Sequence, residues 1–436
     1  MRTDIVHIGA GELTYEIRNI VIIAEKMQRL GIRTNMENIG DPVAKGEKIP
    51  LWMKQIVADL AMDDCTYGYC PTRGLLETRE FLAAQTNSRQ GVQISADDII
   101  FFNGLGDAIS KVYSLVKRTA RILGPSPTYS THSSAEAVHA GAPPVCYALD
   151  PHNNWYPDMD DLRKRVKYNP AVAGILIINP DNPTGAVYPE EILREIIAIA
   201  KEMDLFIICD EVYEHIIYNG HKTRPISDIV GDVPAISMKG ISKEFPWPGS
   251  RCGWIEVYNQ QNDPMFGDYI ESVLNAKMLE VCSTTLPQKA IPKILTHPEY
   301  PSYLDERKRR YEKFSNIAYE RLKDVPGILV NRTNGAFYMS VAFEEGKVNS
   351  NQQLPIENKN VRNLAENLVN APDVAPDKRF VYYLLASTGI CVVPLSSFST
   401  SIQGFRVTLL ERDEAEFRRI FDTIAASIET YLASSP

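Results

Sequence analysis

One lysine of the sequence lies in a setting suited to Schiff-base chemistry. Lys243 follows the small residues Gly240 and Ser242, and Arg251 comes eight positions later. A lysine amine forms an imine with an aldehyde only when part of it is neutral, and a desolvated pocket or a nearby cation favours that state. The segment therefore predicts an active-site lysine, and a surface loop rich in proline and glycine is the alternative at this point.

Two further segments place polar side chains directly after apolar runs. Asp210 and Tyr213 follow the run 205–209, and Asn182 lies in the turn-rich string INPDNPTG, which ends the run 174–178. In open α/β sheets, ligands bind beyond the carboxyl ends of the strands. Asp210 is then placed to meet a protonated ring nitrogen, and Asn182 to offer its amide to a ligand oxygen. A helix cap at Asp210 and a plain turn at Asn182 stay open as alternatives.

Two other segments are candidates for binding anions. The string NGLGDA at 103–108 joins an apolar run to a helical pattern, and such turns expose N–H groups that bind phosphate at a helix N-terminus. It fits neither the GxGxxG nor the P-loop pattern, so an ordinary tight turn is the alternative. Arg406 lies in the β-like segment GFRVT. Arginine is the natural bidentate partner of a carboxylate, and a surface strand is the alternative here.

The elements that must position these residues alternate between apolar runs and amphipathic helical patterns. We predict strands over 98–102, 174–178 and 205–209, and helices over 75–88, 107–117 and 189–203. This alternation is typical of an α/β fold with a mostly parallel sheet covered on both faces. The last third differs, and there we predict a smaller α+β domain with helices over 304–324 and 413–432, a short segment at 336–341 and a polar loop at 344–360.

The composition limits the kind of protein further. The 436 residues carry 46 Lys and Arg against 55 Asp and Glu, a formal net charge of −9, which argues against a generally basic surface for nucleic acid. No apolar stretch reaches the roughly 18 residues of a membrane span, and the N-terminus has no apolar signal region. The seven scattered cysteines form no CxxC pair. We therefore expect reduced thiols in a cytoplasmic protein, without a disulfide framework or a metal site.

Taken in order, the segments resemble the class I and II aminotransferases of fold type I, which use pyridoxal phosphate (PLP). The resemblance covers about residues 36 to 410 and rests on YGYCPTRG, NGLGDA, PSPTY, NPDNPTG, DEVY, SK, the following arginine and GFR. Within the family, the sequence looks most similar to the alanine (glutamate–pyruvate) aminotransferase branch, through NIGDP at 38–42, NNWYPDMDDLRKRV at 153–166 and INPDNPTGAVY at 178–188.

The resemblance implies a catalytic role for three of the matching residues. Lys243 would bind PLP as a Schiff base and, once released, would move a proton between the substrate Cα and the cofactor. Asp210 would keep the pyridinium nitrogen protonated, which makes the ring an electron sink. Tyr213 would bond the phenolic oxygen of the cofactor together with Asn182.

Other matching residues would bind the phosphate and the ring of the cofactor. The N–H groups of Gly104 and Leu105 and the side chain of Arg251 would contact the phosphate, and Tyr129 would stack on the ring. Tyr69 would reach the phosphate of the neighbouring subunit. The resemblance therefore implies a homodimer with shared active sites.

The resemblance also implies how substrates bind. Arg406 would hold the α-carboxylate, with Asn182 and the backbone of Gly40 beside it. We expect L-alanine and 2-oxoglutarate as substrates, so a second carboxylate must be bound as well. Arg18 is the candidate for it, and a helix arginine that faces solvent is the alternative.

Other activities stay open, and the domain division is expected from the family. An aspartate or aromatic amino acid aminotransferase, a PLP-dependent C–S β-lyase and a non-enzymatic PLP-binding regulator are the alternatives. We expect a large PLP-binding domain over 56–320 and a small domain built from 1–55 and 321–436. Small-molecule amino acids and 2-oxo acids are the expected partners, without nucleic acid or membrane.

Overall fold

The computed structural model describes residues 5–13 and 16–434, so residues 1–4, 14, 15, 435 and 436 of the predicted small domain lie outside the description. Apolar residues at helical spacing form most of the helices, with their buried face on the sheets. In chain order the helices are α1 (Glu16–Arg29), α2 (Leu51–Ala61), α3 (Leu76–Asn87), α4 (Leu105–Ser114), α5 (Ser130–Ala140), α6 (Met159–Lys167), α7 (Glu190–Glu202), α8 (Ile226–Ile229), α9 (Pro264–Met278), α10 (Thr285–Leu295), α11 (Tyr300–Leu322), α12 (Lys359–Val369), α13 (Pro376–Thr388) and α14 (Glu414–Ala433).

The strands are short, and the central ones are apolar on both faces, as a covered parallel sheet requires. In chain order they are β1 (Asn35–Met36), β2 (Ile99–Phe102), β3 (Arg121–Ser126), β4 (Cys146–Asp150), β5 (Tyr156–Pro157), β6 (Val172–Ile178), β7 (Phe206–Asp210), β8 (Ala235–Gly240), β9 (Gly253–Tyr258), β10 (Ile328–Val330), β11 (Tyr338–Phe343), β12 (Ile390–Cys391), β13 (Val393–Pro394) and β14 (Gly404–Thr408).

An eight-stranded sheet dominates the centre of the molecule. Its order is β2-β9-β8-β7-β6-β3-β4-β5, and the β8-β7-β6-β3-β4 stretch is parallel. The edges are antiparallel, because β9 pairs antiparallel with both β2 and β8, and β5 with β4. The predicted α/β fold with a mostly parallel central sheet and type I architecture is confirmed.

The predicted elements of the last third are present with small shifts. The helix predicted over 304–324 is α11, the closing helix over 413–432 is α14, and the segment predicted at 336–341 is β11. β11 lies in an antiparallel four-stranded sheet of order β10-β11-β14-β13. The loop predicted over 344–360 ends where α12 begins, at Lys359.

Helix α1 packs with the C-terminal part of the chain. Ile20, Ala24 and Met27 on its buried face join the same apolar core as Phe380 and Phe417. A small domain built from both ends of the chain requires such a shared core. The predicted domain boundaries at residues 55 and 320 stay predictions. Among the described helices, none combines the length and apolar character that a membrane crossing needs.

Candidate functional site

Three parallel strands bring the predicted site residues to one edge of the central sheet. β6 ends one residue before the NPDNPTG turn, β7 ends at Asp210, and β8 ends three residues before Lys243. The register pairs Ile178 of β6 with Asp210, and Asp210 with Met238 of β8. Because neighbouring parallel strands end at the same level, Lys243, Asp210 and the turn that carries Asn182 meet above this edge.

The amine of Lys243 lies in a partly buried position between backbone and aromatic groups. Its Nζ donates a hydrogen bond to the carbonyl oxygen of Gly40 at 2.7 Å and lies 5.6 Å from the centre of the Phe337 ring. A Cβ at Gly40 would lie 1.7 Å from the hydroxyl of Tyr338, so any larger residue at this position would displace Tyr338. The structure therefore brings Gly40 and Lys243 together.

Asp210 is buried and held by two kinds of donor. Its Oδ1 accepts from the backbone N–H of Val212 at 3.1 Å, and its Oδ2 lies 3.1 Å from Nε2 of the fully buried His132. The hydroxyl of Tyr113 lies 3.3 Å from Nδ1 of the same ring. If Tyr113 donates to Nδ1, the ring proton is on Nε2 and faces Asp210, which fixes the orientation of the carboxylate.

Sequence reasoning missed His132, although a signal was available. His132 follows Tyr129 by three residues at the start of α5, which places the two side chains on the same side of the helix. Their rings meet edge to face at 6.3 Å between centroids. The predicted ring-stacking residue Tyr129 is therefore next to the group that orients Asp210.

Arg406 is fully buried in β14 and faces the turn after β6. Its Nη1 donates to Oδ1 of Asn182 at 3.1 Å, and its Nη2 donates to the carbonyl oxygen of Asn38 at 2.5 Å. The guanidinium lies 4.4 Å from the centre of the Tyr338 ring. The structure therefore brings Arg406 and Asn182 together and adds the carbonyl of Asn38, and their predicted binding of a carboxylate stays a prediction.

A pair of buried tyrosines connects the end of β7 with β11 of the four-stranded sheet at the site. The hydroxyl of Tyr213 donates to that of Tyr338 at 3.2 Å. Burial raises the pKa of Tyr213 well above its ordinary value, and the neighbouring Tyr338 raises it further, so Tyr213 stays a neutral donor. Sequence reasoning missed Tyr338, whose importance follows from packing against Gly40 and Arg406 and has no signature in its own strand.

The turn that is predicted to bind an anion leads into α4. Gly104 has φ +85°, and a Cβ there would lie 2.4 Å from Nη2 of Arg251, so this turn requires glycine. The same Nη2 donates to the carbonyl oxygen of Asn103 at 3.4 Å. A helix N-terminus attracts anions through its N–H groups and its dipole, and Arg251 adds a full positive charge beside Leu105, the first residue of α4.

Two predicted site residues lie on the surface of the described chain. Tyr69 is 87% exposed in the loop before α3, and Arg18 is exposed near the start of α1. Among the described residues, neither makes a contact with Lys243, Asp210 or Arg406. The predicted contact of Tyr69 with a neighbouring subunit and the predicted role of Arg18 therefore stay predictions.

The chemistry available at this edge follows from the groups that meet there. An anion-binding helix start, a buried carboxylate and a partly buried amine suit a phosphorylated ligand with an aldehyde and a ring nitrogen. The buried arginine suits a carboxylate. Among the described residues, no group of three or more His, Cys, Asp and Glu side chains is arranged to hold a metal ion.

Comparison with known proteins gives consistent matches. The model of the family "Aminotransferase class I and II" matches residues 38–424. An uncharacterized aminotransferase of Methanocaldococcus jannaschii is 61% identical over 432 residues, which cover 99% of this chain and 100% of that protein. The glutamate-pyruvate aminotransferase AlaA of Escherichia coli is 31% identical, with 77% of this chain and 82% of that protein covered. The alanine aminotransferase of Pyrococcus furiosus superposes with a TM-score of 0.82 at 28% identity and covers 99% of this chain and 100% of its own.

Proposed function

The chain belongs to the class I and II aminotransferases, and we propose that it transfers the amino group between L-alanine or L-glutamate and a 2-oxo acid by a ping-pong mechanism. The observation that carries the proposal is the meeting of Lys243 with Arg406 across the segment 38–40, which contacts both. The choice of alanine and glutamate is supported by the names of two relatives, a glutamate-pyruvate aminotransferase and an alanine aminotransferase.

We propose PLP as the cofactor because the chain has a suitable group for each of its parts. The N-terminus of α4 with Gly104 and Leu105 would hold the phosphate together with Arg251, since N–H groups at a helix start attract an anion. Asp210 would meet the ring nitrogen, and Lys243 the aldehyde. When bound, PLP supplies an electron sink for the Cα–H bond that breaks.

Some of the site residues would bind the substrate, and others would hold or move protons. Arg406 binds the α-carboxylate, and Nζ of Lys243 takes the proton from the substrate Cα. Asp210 holds a proton at the ring nitrogen, and His132 keeps its carboxylate in place. Asn38 contacts Arg406 and Gly40 contacts Lys243, so a three-residue stretch sets the distance between carboxylate binding and proton transfer.

A donor and acceptor panel tests the proposed activity. We expect the protein with added PLP to show a visible absorbance band of lysine-bound PLP, which L-alanine bleaches and 2-oxoglutarate restores. The alanine–glutamate pair should react with a kcat/KM at least about tenfold above that of aspartate or tyrosine, because one methylene or one ring in the wrong place costs roughly that factor. A higher kcat/KM for aspartate or tyrosine would contradict the substrate assignment. Release of pyruvate and ammonia from a cysteine conjugate without an oxo acid would favour a β-lyase.

We also propose that the chain acts as a homodimer in the cytoplasm. The seven cysteines are free thiols, which supports a reducing compartment. Exposed apolar side chains lie on neighbouring segments, where Thr72 donates to the carbonyl oxygen of Val281 at 2.9 Å. Tyr67, Tyr69 and Leu279 on these segments are 75%, 87% and 88% exposed. Such a patch is typical of a covered interface.

Sedimentation equilibrium tests the proposed dimer. We expect a mass of about twice the 49.0 kDa of the chain. Leu279→Glu should shift the protein toward the monomer by placing a charge in the interface. Met265→Glu, at a methionine that is 79% exposed outside these segments, is the matched control and should leave the mass unchanged. A wild-type protein that sediments as a monomer would contradict the proposal.

A further inference from the structure

A single buried arginine holds the main chain of the lysine. Nη1 of Arg307, on α11, donates to the carbonyl oxygen of Lys243 at 2.9 Å and also to that of Glu244. Arg307 is only 1% exposed. We propose that Arg307 is a positioning residue that fixes the Lys243 amine through these two carbonyls, with Glu47 as its partner. The proposal rests on the proposed function of Lys243.

Glu47 fixes the direction in which the guanidinium points. Nε of Arg307 lies 2.6 Å from its Oε1, and Nη2 of Arg310 donates to its Oε2 at 2.6 Å. Burial would raise the pKa of Glu47, but the two arginines outweigh burial and lower it, so the carboxylate stays charged at neutral pH. Nη2 of Arg307 donates to the hydroxyl of Tyr311 at 2.9 Å. Nη1 and Nη2 of Arg307 thus donate hydrogen bonds, and its Nε lies within ion-pair distance of Glu47. These contacts restrict the orientation of its planar fork.

The N-terminal segment that carries Glu47 also contacts the side-chain amine of Lys243. Gly40 accepts the hydrogen bond of the Lys243 amine, and Glu47, seven residues further, pairs with the arginine that holds the Lys243 carbonyl. The segment 40–47 therefore spans from the side chain of Lys243 to its main chain.

Helix α11 also holds the side chain of the residue after the lysine. The hydroxyl of Tyr300 donates to Oε1 of Glu244, and Nδ1 of His215 lies 2.8 Å from Oε2. Glu244 raises the pKa of His215 to about 9, so the pair is charged at neutral pH. Tyr300 and Arg307 are seven residues apart and share a face of α11. One face of α11 thus contacts the main-chain carbonyls of Lys243 and Glu244 and also the side chain of Glu244.

We expect Arg307→Met to fold, because the ion pair borders a cavity. Glu47, Arg307 and Arg310 line a cavity of about 810 Å³ on the side of α11. When the guanidinium is removed, water from this cavity can hydrate Glu47, and Arg310 still neutralises it. The double variant Glu47→Gln with Arg307→Met removes both charges and serves as the second variant if the single one is unstable.

The experiment compares Arg307→Met and Arg307→Lys with wild type. The matched control is Arg309→Met, an exposed arginine two residues along the same helix. Hydrogen–deuterium exchange of the 241–250 peptide, measured without added PLP, reports the loop directly. We expect exchange about tenfold faster in Arg307→Met and kcat lower by about 10- to 100-fold with KM within about threefold, because a small misplacement of a reacting group costs up to two decades in rate. Arg307→Lys should recover little, since an ammonium cannot serve both carbonyls and Glu47.

The outcomes separate a positioning role from a merely structural one. The pH midpoint of the absorbance of lysine-bound PLP should shift in Arg307→Met and not in Arg309→Met, because the surroundings of the amine change only in the former. Equal exchange, kcat and pH midpoint in the two methionine variants would overturn the proposal, and so would full recovery by Arg307→Lys. A wild-type protein without a PLP band would contradict the proposed function itself, whereas the exchange at 241–250 would still decide whether Arg307 holds this loop.

Discussion

Replacement of Lys243 by alanine is expected to lower kcat for transamination by about 10⁴-fold or more, because the variant loses both the covalent attachment of the cofactor and the group that moves the Cα proton. The amine is the partly buried one that donates to the carbonyl oxygen of Gly40 at 2.7 Å. The measurement is the single-turnover rate of 2-oxo acid formation from L-alanine with saturating PLP. Borohydride reduction and mass spectrometry should find no PLP attached to the variant.

The controls separate loss of the amine from loss of the fold. Lys164→Ala removes an exposed lysine of α6 and should keep the wild-type rate and the attached PLP. A free primary amine in the buffer should restore part of the rate of Lys243→Ala, because a small amine can diffuse into the site and act as the missing base. Transamination by Lys243→Ala at the wild-type rate would exclude Lys243 as the catalytic amine.

The central strands were predictable because burial on both faces leaves a continuous apolar run. β6 and β7 have such runs, and their predicted ends are within two residues of the observed ones. β8 and β9 escaped prediction, since each carries a buried charge in its interior. Lys239 of β8 pairs with Glu214 at 2.6 Å, and Glu256 of β9 accepts from the hydroxyl of Tyr258 at 2.7 Å. These charges are tolerated only because of partners that the local sequence does not reveal.

Helix α13 escaped prediction for the opposite reason. Phe380, Tyr382 and Leu385 are buried although they point in different directions around the helix. A helix surrounded by other elements has no polar face, so it shows no amphipathic period. The sequence around it is an apolar run whose periodicity does not distinguish a buried helix from a buried strand.

The positions of Asp210 and Asn182 beside the site were predictable because each comes at the end of a predicted strand. Lys243 follows a strand that was not predicted, and it was singled out by its small neighbours and by Arg251. The residues that support these groups were not predictable, because they come from distant parts of the chain. His132 is separated from Asp210 by 78 residues, Tyr338 from Tyr213 by 125, and Arg307 from Lys243 by 64. Their roles exist only after the sheet and α11 have come together, and no local spacing encodes them.

Replacement of Arg406 by glutamine is expected to raise the KM for L-alanine by about 10²- to 10³-fold, because truncating one partner of a buried charge pair costs several kcal/mol of binding. Arg406 is 1% exposed, and its fork reaches Asn182 and the carbonyl oxygen of Asn38. Both of these contacts are neutral. Thermal unfolding of the variant without PLP reports separately on the stability of the fold.

A substrate without the carboxylate distinguishes a role of Arg406 in substrate binding from a role in the fold alone. Ethylamine is L-alanine without this group, so its slow reaction should change by less than about threefold in Arg406→Gln, whereas kcat/KM for L-alanine falls by two decades or more. Arg418→Lys alters an exposed arginine that pairs with Glu414 at 2.8 Å, and it should leave both substrates unaffected. An equal loss for ethylamine and L-alanine would mean that Arg406 serves the fold alone, and the α-carboxylate would then need another partner. A selective loss for L-alanine would assign the carboxylate to Arg406 and would explain why the chain buries a cation on a strand of its four-stranded sheet.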